Sequence, residues 1–111
     1  MEKPELYTKI EEVIDRSRMR YEEVKEDWYS STVRAEELRT LQSLYERLKN
    51  GESRENLLVE MKKKLPELED WMEGELERPT FDWYDDHYHY KILDGQHSAY
   101  KIMIDLLECE A

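Results

Sequence analysis

The sequence predicts an all-α fold, an antiparallel bundle of three to five helices forming one domain over residues 1–111. Three observations lead there. Apolar residues recur at three- and four-residue spacing through most of the chain, the period of one helix face. Only three glycines and three prolines interrupt that pattern. The 111 residues fit one domain and leave no room for two. A net charge of −11 with 39% hydrophobic content leans toward the composition of disordered chains. Against this, 11% of the residues are aromatic, and several fall at helical spacing, so there is apolar surface to bury and order is expected.

The first element begins at Pro4, which suits a first helical turn, with Glu2 and Glu5 near the positive end of the helix dipole. Leu6, Ile10, Val13, Ile14, Tyr21, Val24 and Trp28 mark one face. Ser17 falls on the same face and leaves a small hole or a close approach. Tyr29-Ser30-Ser31-Thr32-Val33 are mediocre helix formers, but Thr32 lacks the glutamate three residues later that completes a capping box. The expected helix therefore continues, at most kinked near 30–32, through Leu38, Leu41, Leu44, Tyr45 and Leu48 to a stop at Asn50-Gly51. Unbroken from residue 4 to 49 it would be ~69 Å long. A compact chain of this length has a radius of gyration of ~13 Å, so the long helix implies a second chain, whereas a break near Ser30–Thr32 allows a compact monomer.

Ser53 is the expected N-cap of the next helix, with Glu55 in its first turn. Leu57, Leu58, Met61 and Leu65 form its stripe, and Lys62-Lys63-Lys64 suits a C-terminal end. Pro66 follows, then Glu67, Glu69 and Asp70. Basic before proline and acidic after is the order expected across a helix break. Leu68, Trp71, Met72 and Leu76 continue the apolar pattern to Arg78-Pro79.

The last element fits a helix through Tyr84, Tyr88, Ile92, Gly95, Ala99, Ile102, Met103 and Leu106. The alternative is α+β, with a C-terminal hairpin at 87–104 turning at Asp94-Gly95. The helical pattern covers more residues, and a lone hairpin is marginal. A glycine inside a helix costs ~1 kcal/mol against alanine, so Gly95 needs a packing reason.

Charge and composition exclude several functions. No apolar run is long enough to span a membrane, and the first residues lack the apolar core of a signal peptide. One cysteine permits no internal disulfide and no zinc framework. A cytoplasmic protein is the expectation. The negative balance disfavours direct contact with nucleic acid or anionic lipid.

The charge is uneven. Residues 1–50 carry net −2 and residues 51–111 net −9. Nine carboxylates fall between Glu67 and Asp86, opposed only by Arg78, with Trp71, Phe81, Trp83 and Tyr84 among them. Trp71 and Tyr84 fit the core stripe; Trp83 does not. Aromatic anchors amid carboxylates suit docking onto a basic, partly apolar protein. The bland alternative is a solvated acidic face over an aromatic core. The expected function is a non-enzymatic module that occludes the basic groove of a nuclease or other nucleic-acid-binding protein, in the manner of a phage-encoded inhibitor. Glu67, Asp70, Glu73, Glu77, Asp82, Asp85 and Asp86 would supply the charge and Trp83 an anchor. The alternative is a helical adaptor that forms a homodimer through Leu38, Leu41, Tyr45 and Leu48.

Catalytic and metal signals are weak. Asp86-x-x-His89 and Asp94-x-x-His97 each put an oxygen and a nitrogen on one helix face, but the pairs stand ~12 Å apart along a helix. Glu52-x-x-Glu55 followed by Glu67-x-x-Asp70 resembles the carboxylate pairs of all-α nucleotide pyrophosphatases. That resemblance implies magnesium held for phosphate chemistry and makes a metal-dependent nucleotide hydrolase the third reading. Glu12-x-x-Asp15 and Glu23-x-x-Glu26 share the spacing, as expected with 28 acidic residues. Cys109 sits between Glu108 and Glu110, which disfavours a reactive thiolate. No catalytic residue, metal ligand or cofactor is expected.

Overall fold

A computed structural model describes residues 2–77 and 85–109, with side chains for 5–27, 30–74 and 89–108. These residues form four α-helices and no strand: α1 (Glu2–Val24), α2 (Trp28–Lys49), α3 (Arg54–Glu77) and α4 (Asp85–Cys109). The helical expectation holds. Asp94-Gly95 lies inside α4, not at a hairpin turn.

The long N-terminal helix is divided, and earlier than residue 30. Lys25–Asp27 form a turn in which the Asp27 amide donates to the Val24 carbonyl at 2.8 Å. The Asp27 carbonyl then accepts the first bond of α2, from the Ser31 amide at 2.8 Å. Asp27 is thus the N-cap, a position that favours aspartate, and Thr32 is already inside the helix. Lys25, Glu26 and Asp27 are all exposed, so the chain bends where it has nothing apolar to bury. The longest extent is 52 Å, short of the unbroken length.

The second turn follows the sequence closely. Gly51 adopts φ +98°, its amide bonds the Leu48 carbonyl, and the Glu52 amide bonds the Arg47 carbonyl at 3.1 Å. This is the glycine-terminated C-cap that leaves few orphan carbonyls. Ser53 Oγ accepts from the Asn56 amide at 3.2 Å and starts α3.

Pro66 does not break α3; the helix runs through it. A proline leaves the carbonyl four residues earlier without its bond. Here that residue, Lys62, and Pro66 itself are exposed, so water can replace the bond, while Met61 and Leu68 stay buried on the opposite side.

Cross-helix bonds show the antiparallel arrangement. Tyr7 Oη donates to the Leu48 carbonyl and Ser17 Oγ to Glu37 between α1 and α2. Lys62 meets Glu108, and Glu69 meets His97, between α3 and α4. Helix α4 contacts all three others, α1 leans chiefly on α2, and α3 packs broadly only on α4. The lateral order is α1, α2, α4, α3, with α3 at an edge.

The stripe expected to join two chains lies inside this bundle. Leu41, Tyr45 and Leu48 are 0%, 8% and 6% exposed, and Leu38 packs partly buried against them. The bend at 25–27 folds α1 back over this face of α2. Tyr7 meets Tyr45 edge to face at 5.6 Å, Lys49 lies over the Tyr45 ring, and Tyr45 Oη donates to Glu11. Burial first, and then the Glu11 carboxylate, push the Tyr45 pKa up to about 12. No helix among the described residues is long and apolar enough to cross a membrane.

Candidate protein-binding surface

The outward side of α3 follows from its sequence period. Leu57, Met61 and Leu68 face α4 and are buried, which turns Glu67, Asp70 and Glu73 outward. All three are exposed and form no salt bridge among the described residues. Trp71, expected in the core, is 55% exposed. It lies on the flank of an edge helix, and no other described helix packs broadly over that flank.

Carboxylates gather in the C-terminal half of α3, whose last turn holds no basic residue. The negative end of the helix dipole lies there, so their charge opposes the helix's own field. A groove of about 470 Å³ runs between α3 and α4, lined by Glu69, Asp70, Met72, Glu73, Tyr90 and His97. His97 Nε2 stands 3.0 Å from Glu69 Oε2.

Of the eight residues expected to bind a partner, the structure brings Glu67, Asp70 and Glu73 onto one side of one helix. Glu77 lies in the last turn of α3, and Asp85 and Asp86 lie in the first turn of α4, where acid suits the dipole. The side chains of those three, and Asp82 and Trp83 entirely, lie outside the described residues.

The pyrophosphatase-like pairs do not face one another. Because α3 is continuous, Glu55 and Glu67 sit on one helix ~18 Å apart. Glu52 is held by Arg47, and Glu55 bonds Ser53. Among the described residues no three His, Cys, Asp or Glu side chains converge as metal ligands.

A second polar cluster escaped the sequence reading. Glu37 is fully buried, and its carboxylate accepts from Ser17 at 3.0 Å, Arg20 at 3.1 Å, Arg34 at 3.3 Å and Ser98. Burial is the largest single influence and acts to raise its pKa. The donors Ser98, Arg20 and Ser17 together outweigh it and leave the carboxyl below its usual range. Glu36, also buried, accepts from Arg39 and from Gln96. Nearby Asp94 is pushed up, chiefly by burial, and Glu37 adds to this against His97 and Arg34. These partners belong to the fold itself, so the cluster holds helices together. The signal was present: Glu37 stands four residues before Leu41 on its stripe, and Ser17 and Ser98 leave room opposite.

The chain matches no protein-family model, no curated protein and no solved structure.

Proposed function

We propose that this protein is a non-enzymatic binding module whose acidic α3 face occludes a basic, nucleic-acid-binding surface of a partner protein such as a nuclease. A phage product acting on a host or defence nuclease fits this chemistry. The observation that carries the reading is Trp71, 55% exposed one turn from Glu67, on a helix whose outer side also carries Asp70 and Glu73; none of these carboxylates has a salt bridge among the described residues. An exposed indole gains on docking, since burying a large apolar side chain contributes about 1.5–3 kcal/mol. A cationic partner also relieves carboxylates set against the helix dipole and steers the encounter.

The test is capture from a host lysate on the immobilised chain, washed at low and then high salt, with nucleic acid as competitor. The expected partner is a basic nucleic-acid-binding protein, released by salt and displaced by nucleic acid. It should be lost with Trp71→Ala and with combined Glu67→Lys, Asp70→Lys and Glu73→Lys, both of which keep the wild-type circular dichroism. A partner that survives salt, or that binds both variants unchanged, overturns the proposal.

A further inference from the structure

We propose that the outer face of α3 docks a second copy of this chain, the two α3 helices packing antiparallel about a two-fold axis between Pro66 and Glu67. This does not rest on the proposed partner, because it concerns the purified chain alone; a partner would compete with the second copy for Glu67 and Asp70. Helix α3 is the edge helix, broadly covered only by α4. On the outer side of α3, Val59, Lys63, Pro66, Asp70 and Gly74 are all exposed, Asp70 also edging the groove beside α4. Their spacing of four, three, four and four residues makes one seam, about 22 Å long.

Because the helix is continuous through Pro66, this face carries charge in two blocks. Lys63 and Lys64 precede the proline; Glu67, Asp70 and Glu73 follow it. None of the five forms a salt bridge among the described residues. Within one helix the two lysines lie one turn from Glu60 and Glu67. Glu60 is already bonded to Arg47 and feels Lys64 only through its field, and towards Glu67 lysine before glutamate is the weaker order. A second α3 turned end for end pairs the two blocks, with the two Glu67 carboxylates meeting at the axis between the Lys64 side chains of both copies. Lys63 then meets Asp70 of the second copy, Lys64 comes beside its Glu67, and symmetry repeats each contact.

The apolar ends of the seam also match. Val59 is 69% exposed, and it falls opposite Gly74 of the second copy. A Cβ added at Gly74 would meet nothing within 4 Å, so the glycine leaves a hollow for the valine. A contact of this length belongs to the small, weak class of interfaces. The −11 charge of each copy opposes it at long range, but salt screens that repulsion beyond ~8 Å at physiological ionic strength.

Sedimentation equilibrium of the full chain from micromolar to millimolar concentration tests this. A reversible monomer–dimer equilibrium is expected. Lys63→Glu and Asp70→Lys should each weaken association at least about tenfold, since each places like charges together twice across the axis. The double variant should restore association, because it exchanges the partners of both pairs. Trp71→Ala lies off the seam and should leave the dimer intact while abolishing partner capture, which separates the two proposals. Circular dichroism checks that every variant is folded. A chain monomeric throughout, a dimer indifferent to the single reversals, or a double variant that fails to recover would overturn the proposal.

Discussion

Gly95 of α4 lies so close to Glu36 of α2 that a Cβ on the glycine would stand 2.7 Å from the Glu36 Cβ, and also 2.7 Å from the Val33 carbonyl oxygen. This is the packing reason for a glycine inside α4. It lets two backbones approach where the buried Glu36 and Glu37 carboxylates meet Gln96 and Ser98.

Gly95→Ala should destabilise the protein. Alanine gains ~1 kcal/mol in helix propensity, but backbone cannot yield as a flexible side chain can, and overpacking costs about 1–3 kcal/mol. Gly74→Ala, with open space around it, should instead stabilise by about 0.5–1 kcal/mol. Urea unfolding of the dilute chain measures both, and the opposite signs are the result to check.

Glu37 and Asp94 should shape the pH dependence of stability in opposite directions. The Glu37 pKa is lowered from 4.5 in the fold. Its contribution is therefore complete above that value and lost as pH falls through the lowered one. The Asp94 pKa is raised from 3.8, so its contribution is present at low pH and lost as pH rises through the raised value. Asp94→Asn should raise the melting temperature at neutral pH. Glu37→Gln should lower it there and flatten the acid limb. Melting curves from about pH 3 to 7 read both effects.

Arg47 clamps the turn between α2 and α3. Its Nε donates to Glu52 at 2.6 Å and its Nη1 to Glu60 at 2.7 Å. Both carboxylates sit below their usual range, chiefly through these bonds. The groups are partly exposed, so Arg47→Ala should cost only about 1 kcal/mol, less in high salt. Arg47→Lys should not restore the loss, because an ammonium cannot match the guanidinium fork. Urea unfolding at low and high salt is the measurement, and a salt-independent loss would count against the clamp.

Leu41→Ala should cost about 2–5 kcal/mol, as for other large-to-small changes in a packed core. The loss should appear in thermal unfolding and be independent of protein concentration. A change confined to self-association would mean that Leu41 faces another chain, contrary to its burial here.

Local signals were legible wherever the physics is local. Gly51 and Ser53 fixed the turn between α2 and α3 because their bonds reach only three to five residues along the chain. The periodicity of Ile92, Ala99 and Met103 identified α4 because a helix face repeats along its own length. The first turn falls at Lys25–Asp27 and not among the weak helix formers at 29–33, because Asp27 supplies the N-cap and Lys25–Asp27 have nothing apolar to bury. Pro66 reads as a break in the sequence and is none in the fold, because its cost depends on where its ring faces, and here it faces solvent.

The sequence by itself determined that the chain is helical, where α3 begins, that acid concentrates after Pro66, and that the Gly95-to-Ala99 stretch admits a close neighbour. The tertiary structure alone decided which neighbour that is. It placed Glu37 in the core, turned the Leu41–Leu48 stripe inward, and left Trp71 exposed on an edge helix. The reason is range. Helix period and caps act between residues close in sequence, whereas the cost of burying a carboxylate depends on donors such as Ser17 and Ser98, 20 and 61 positions away.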